Sequence, residues 1–213
     1  MIKCVVFDWN GVITDSLSLD HEIFLKECQR KRLKVPKSVS FYSNMFDDNV
    51  FKCLERIGFH VDEQGENAYK ELYLAGIDKT RPFAGIKQLL RKLKSQYKLS
   101  IITSNYSVAV NTFFKNHGME DVFDLVLGSD TARRKEEKIK ILLKKFSLKK
   151  EEIIYVGDTV SDIKACKSVG VKIIAASWGY QSRARLAKYD PDFIADEPRD
   201  IINILEEIDD EDG

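Results

Sequence analysis

Four short segments of this 213-residue chain carry side chains suited to a single reaction. The first is Asp8, which ends the apolar run Cys4-Val5-Val6-Phe7 and opens the turn Trp9-Asn10-Gly11-Val12. The second is Thr103-Ser104-Asn105, directly after Leu99-Ser100-Ile101-Ile102. The third holds two lysines, Lys135 and Lys138. The fourth is Gly157-Asp158-Thr159-Val160-Ser161-Asp162, after Ile153-Ile154-Tyr155-Val156. Carboxylates that face one another repel unless a hard cation lies between them, and an oxygen-ligand site that keeps some water suits Mg²⁺. A phosphoryl dianion needs its charge offset by a metal, an ammonium and hydroxyl or N–H donors. An aspartate can also attack phosphorus, dividing one hard displacement into two easier ones. Gly11 lets the backbone turn and approach a bound group closely. The set reads as a phosphoryl-transfer site.

These segments meet only if strands deliver them to one edge. The runs 5–7, 99–102, 125–127, 153–156, 171–176 and 193–195 show little internal alternation, which is the pattern of strands covered on both faces. Helical periods lie between them. Ile86, Leu89, Leu90, Leu93 and Tyr97 form one stripe; Ile139, Leu142, Leu143 and Phe146 form another. Residues 161–169 read as a further helix, stopped by Gly170. The alternation predicts an α/β fold with a doubly wound, Rossmann-like parallel sheet, in which strand tips converge on a crevice.

Residues 16–80 break this rhythm. Val50, Leu54 and Ile57 keep helical spacing, as do residues 68–74, and no strand run is evident. About 65 residues is far more than the dozen or so a crossover needs. The expectation is an inserted α-helical cap subdomain over 16–80, with Arg81-Pro82-Phe83 marking the return, and a core built from 1–15 and 81–213.

The quoted residues resemble the haloacid dehalogenase (HAD) superfamily, in particular its phosphoglycolate-phosphatase-like branch with a small helical cap. The resemblance rests on Phe7-Asp8-Trp9-Asn10-Gly11-Val12, Ile101-Ile102-Thr103-Ser104-Asn105, a lysine before a helix, and Val156-Gly157-Asp158-Thr159-Val160-Ser161-Asp162-Ile163. Ser177-Trp178-Gly179-Tyr180 and Asp190-Pro191-Asp192 also look like that branch. The resemblance implies that Asp8 is the nucleophile and a Mg²⁺ ligand, and that Asp158 binds the metal, with Asp162 as a further ligand or support. Thr103 would hydrogen-bond the phosphoryl oxygens, with Gly11, Ser104 and Asn105 completing the substrate-binding set. Lys135 would neutralise charge on nucleophile and phosphate. It is preferred to Lys138 because it precedes Asp158 by 23 positions, a spacing familiar from such phosphatases; Lys138 is expected on a solvated helix surface.

One position departs from the pattern. These phosphatases carry a second Asp two residues after the nucleophile, and this chain has Asn10. An amide hydrogen-bonds but does not exchange a proton, and losing general acid–base help costs about 10²–10⁴ in rate. Its backbone carbonyl remains as a metal ligand. The expected function is a Mg²⁺-dependent phosphatase acting on a small phosphomonoester through an aspartyl-phosphate, attenuated by Asn10 or drawing a proton from the cap. Asp20, His21 and Glu22 are candidate donors that otherwise read as helix surface. The alternatives are a phosphate-ester-binding or regulatory module with weak turnover, and a dehalogenase-type hydrolase. A dinucleotide-binding dehydrogenase is disfavoured, because the first turn lacks G-x-G-x-x-G.

Composition limits the partners. Thirty-four basic residues balance thirty-four acidic ones, so no net field recruits nucleic acid or anionic lipid. The four cysteines form no C-x-x-C pair and read as free buried thiols. Met1-Ile2-Lys3 runs straight into a strand, and no apolar stretch approaches the roughly 20 residues that span a bilayer. A cytoplasmic protein acting on a small phosphorylated metabolite is expected, as a monomer or homodimer. His21, His60 and His117 show no metal-ligand spacing. The acidic stretch 206–213 is expected to fray.

Overall fold

The chain is described by a computed structural model covering residues 1–211. Strand β1 (Cys4–Phe7) is entirely buried, and β2 (Thr14–Asp15) comes after the Asp8 turn. Four helices come next: α1 (Leu17–Arg30), α2 (Val39–Asn44), α3 (Val50–Arg56) and α4 (Glu63–Gly76). The chain returns through β3 (Arg81–Pro82), which pairs antiparallel with β2. These two-residue strands have no counterpart in the apolar pattern, because a pair so short needs no buried stripe of its own.

The remainder alternates: α5 (Ile86–Lys94), β4 (Lys98–Ile102), α6 (Ser107–His117), β5 (Leu125–Leu127), α7 (Lys135–Phe146), β6 (Ile153–Gly157), α8 (Val160–Val169), β7 (Lys172–Ala176), α9 (Arg183–Ala187), β8 (Phe193–Ala195) and α10 (Asp200–Glu211). The six long strands form one sheet in the order β5-β4-β1-β6-β7-β8, and every pairing in it is parallel. Successive side chains of β1 point to opposite faces. Val5 and Phe7 join one hydrophobic core, while Cys4 and Val6 join the other. Both faces are covered, as the unalternated runs required.

The order reverses around β1. From it the chain moves outward to β4 and β5, then crosses back to β6 on the other side. A reversal of this kind opens a crevice at the carboxyl ends of the strands. Asp8 and Asp158 stand directly after the two strands that flank it.

Helix α7 begins at Lys135, earlier than its apolar stripe suggests. Glu136 and Glu137 sit in its first turn, where negative charge favours a helix start. The acidic C-terminal stretch also differs from expectation. Ile201, Leu205 and Ile208 are buried on one face of α10 and bind it to the core, so residues 206–211 are helical rather than frayed. Asp212 and Gly213 lie outside the described residues. All four cysteines are free and buried. Among the described residues no helix is long and apolar enough to cross a membrane.

Candidate active site

Three carboxylates meet at the crevice. Asp8, Asp158 and Asp162 each place one oxygen within 4.8 Å of the others, and all three residues are buried. Asp8 Oδ1 accepts the Trp9 N–H at 2.6 Å. Asp158 Oδ2 accepts the Tyr180 N–H at 2.7 Å, whereas its Oδ1 is buried with no partner. Burial, then the charges of Asp162 and Asp8, push Asp158 well above the usual carboxylate range. Burial also pushes Asp8 up to about 6, with Lys135 opposing. An unpartnered buried oxygen among clustered carboxylates is costly unless a cation joins it. The donor set therefore fits a hard divalent ion such as Mg²⁺. Glycine makes room for the Asp158 carboxylate: a Cβ on Gly11 would lie 2.0 Å from its Oδ2, and one on Gly179 would lie 2.3 Å from it.

Asp162 is otherwise engaged. Its Oδ2 accepts from Thr159 N at 3.1 Å and Thr159 Oγ1 at 2.6 Å, closing a capping box on α8. Its Oδ1 accepts from Lys135. The Lys135 ammonium also donates to Asp8 Oδ2 at 2.5 Å. Burial pulls the Lys135 pKa down, but Asp162 and Asp8 outweigh it, and the net direction is up. Lys135 stays charged.

Lys138 is not on solvated surface. It is fully buried and donates to the Thr103 carbonyl. The early start of α7 explains the difference, since Lys135 and Lys138 then stand one turn apart on the same face. Burial, together with the nearby Lys135, lowers the Lys138 pKa to about 8. Thr103 is held from both sides, because its N–H donates to Leu127 O at 3.1 Å. Thr103 Oγ1 accepts the Asn105 N–H at 3.1 Å. Thr103, Ser104 and Asn105 all border the same cavity as Asp8, Lys135 and Asp158.

Asn10 sits in a polar cluster that no motif announces. Its Nδ2 lies 2.8 Å from each of Ser16 Oγ, Asp20 Oδ2 and Tyr73 OH, three acceptors for two hydrogens. Tyr69 OH donates to Asp20 Oδ1 at 2.7 Å, and Tyr180 OH donates to Oδ2. Asp20 is only 3% exposed, so the helix-surface expectation for it is wrong. Burial raises its pKa, against hydrogen bonds from Tyr180, Tyr69, Ser16 and Asn10. Its signal lay in spacing: Asp20 stands on the stripe Leu19, Ile23 and Phe24 that α1 buries. His21 and Glu22 do not join the cluster. The His21 ring packs beside Tyr42, and Glu22 is exposed and bonded to Lys26.

Trp9 is a packing residue, fully buried against Tyr73 and Phe113. Tyr180 and Tyr106 both line the cavity. Its volume is about 190 Å³, and its far wall comes from α1, α2, α3, α4 and the connections between them. The end of α2 and the segment after it are tied down from the sheet side. Gln181 Nε2 donates to Ser43 O and Phe46 O, Lys164 Nζ to Asp47 O, and Arg185 Nη2 to Asn44 O. The helices thus close over the strand ends.

Residues 5–176 match the family model of the haloacid dehalogenase-like hydrolases. The chain is 28% identical to a phosphoglycolate phosphatase from Aquifex aeolicus, covering 96% of this chain and 97% of that protein. It is 30% identical to pyrophosphatase PpaX from Bacillus mycoides, covering 97% and 98% respectively. Among solved structures, a haloacid dehalogenase-like hydrolase from Streptococcus pneumoniae superposes with a TM-score of 0.81 at 25% identity, over 96% of this chain and 98% of that one. A predicted phosphatase from Clostridium acetobutylicum gives 0.85 at 20% identity, over 97% and 99%. Sheet order, the strand-end carboxylates and these matches agree: the chain belongs to the haloacid dehalogenase-like hydrolases, in their phosphoglycolate-phosphatase-like branch.

Proposed function

We propose that this protein is a Mg²⁺-dependent phosphomonoesterase that works through a phosphorylated Asp8. The carrying observation is the unpartnered Asp158 Oδ1 beside an Asp8 that Lys135 holds at 2.5 Å. Asp8, Asp158 and the Asn10 carbonyl would hold the ion, with Asp162 behind them. When bound, Mg²⁺ supplies positive charge that offsets the carboxylates and the phosphoryl oxygens. Asp8 attacks phosphorus, the ester P–O bond breaks, and the alcohol oxygen leaves as its anion and takes a proton from water. Water then attacks the aspartyl-phosphate at phosphorus, releasing inorganic phosphate, returning Asp8 and giving its proton to solvent. Lys135 neutralises the equatorial charge, and Thr103 and nearby N–H groups orient the oxygens. The helices over 16–80 act as the cap.

Asn10 supplies no proton, so turnover is slow on poor leaving groups and faster where the leaving oxygen needs none. That same residue favours a second reading, a phosphate-ester-binding module with little turnover. One experiment separates them: Mg²⁺-dependent hydrolysis of p-nitrophenyl phosphate by the native protein and by Asp8→Asn. Turnover that vanishes in the variant supports the hydrolase. No turnover in either, with phosphate still bound, supports the binding module.

A further inference from the structure

The cavity beyond the carboxylates has a wall unlike the site it serves. Among the described residues, Lys135 is the only basic side chain that lines it, and its ammonium already faces Asp8 and Asp162. The other residues of formal charge along this wall are acidic: Asp20, Glu27, Asp48 and Glu66. Three of these are matched locally. Glu27 pairs with Arg30, Asp48 with Arg56, and Glu66 with Arg133. These arginines thus pair with carboxylates at the edge of the cavity and do not themselves line it. Arg133 is further held over the Phe51 ring, 4.8 Å from its centroid.

What remains on the helical side is apolar and aromatic, while Asn105, Ser129 and Ser161 border the cavity from the core side. Phe24 and Phe59 belong to the small core of the helical segment and show one side to the cavity. Phe46, Phe51, Leu54 and Val61 are only half-buried and border it too. A cap needs a core of its own, but a core residue need not stay half-exposed around an enclosed space. Such residual apolar area is what a ligand's carbon skeleton covers. A carboxylate or second phosphate placed there would lose hydration and gain no counter-charge.

We propose that the alcohol part of the substrate is uncharged and mainly apolar, an aromatic ring included, and that esters with a second anionic group are rejected. This rests on the phosphomonoesterase reading, and it separates the chain from relatives named for phosphoglycolate and pyrophosphate.

Calorimetric binding to the full chain with Mg²⁺ tests the preference without relying on turnover. The probes are benzylphosphonate and phosphonoacetate, which share a phosphonate and differ in the group its methylene carries, a phenyl ring in one and a carboxylate in the other. Benzylphosphonate should bind at least about tenfold more tightly, the scale on which unmatched groups discriminate. In Leu54→Lys that ratio should fall by about tenfold or invert, because a cation now faces the second anion. Phe51→Lys provides the same change at another half-buried position, should the first variant fail to fold. Equal or tighter binding of phosphonoacetate by the native protein overturns the proposal. So do two folded lysine variants that leave both affinities unchanged. Hydrolysis of benzyl phosphate, measured alongside, tests the phosphomonoesterase reading separately: a protein that binds selectively but releases no phosphate loses that reading and keeps the preference.

Discussion

The Asn10 amide nitrogen and a carboxylate oxygen of Asp20 lie 2.8 Å apart, which ties the core loop after β1 to helix α1. In Asn10→Asp two carboxylates would occupy that contact. They cannot both ionise so close together, and the pair would share a proton near neutral pH. Hydrolysis of alkyl phosphates should therefore rise in Asn10→Asp by about 10²-fold, the lower end of the range for general acid help. p-Nitrophenyl phosphate should gain much less, because its phenolate leaves without a proton. Phosphate release from both esters measures this. Equal gains on the two would mean that proton supply is not what Asn10 limits.

Metal binding should be visible without any substrate. Asp8, Asp158 and Asp162 repel one another across less than 4.8 Å, so an added divalent cation relieves a strain of charge. Mg²⁺ at about 100 times its dissociation constant should stabilise the fold by about 2.7 kcal/mol, read as a rise in melting temperature. Asp158→Asn should lose this response while melting higher than the native protein when both are metal-free. A native melting temperature indifferent to Mg²⁺ and to chelator would count against the centre.

Lys135 and Lys138 should part company on mutation. Lys135→Met leaves Asp8 and Asp162 buried without their shared cation. Breaking a buried ion pair costs about 3–5 kcal/mol, so urea unfolding should show a loss of that order. Hydrolysis should fall by at least about 10²-fold, as when a charge-stabilising donor is removed. Lys138→Met takes away only a hydrogen bond to the Thr103 carbonyl, and its activity should fall far less.

The strand ends were legible because each chemical residue comes directly after an apolar run, and a parallel sheet leaves such runs only one edge on which to end. Asp8, Thr103 and Asp158 are read in that way. Lys138 was misplaced because its burial depends on where α7 begins, and helix starts are weakly marked in a sequence. Asp20, a candidate donor, was placed on the helix surface for a different reason. A carboxylate on an apolar stripe looks like an error in the stripe until tyrosines from α4 and from the loop after β7 are brought to it. Those partners are 49 and 160 residues away, and only tertiary packing joins them. The apolar wall of the cavity is likewise a property of packing, since Leu54 read only as part of a helical stripe with Val50 and Ile57.

Stability should also carry a pH signature remote from the site. Burial pushes the Cys4 thiol up from 9.0 to about 11. The native state therefore holds its proton more tightly than the unfolded chain does. Stability from this group is fully present below the unfolded value and is lost as pH climbs through the folded one. A difference of that size corresponds to about 2–3 kcal/mol. Cys28 is pushed up to about 11 as well, and Cys166 well above its usual value, in the same direction. Lys138 works oppositely: its folded pKa of about 8 lies below the unfolded 10.5, so stability from it grows across that interval. Comparing native protein with Cys4→Ala cancels the lysine and isolates the thiol. Urea unfolding at about pH 8, below the unfolded thiol value, and at about pH 10.5, between the unfolded and folded ones, should show the native protein losing more stability than Cys4→Ala. Equal losses in the two would show that the Cys4 thiol titrates alike in the folded and unfolded chains.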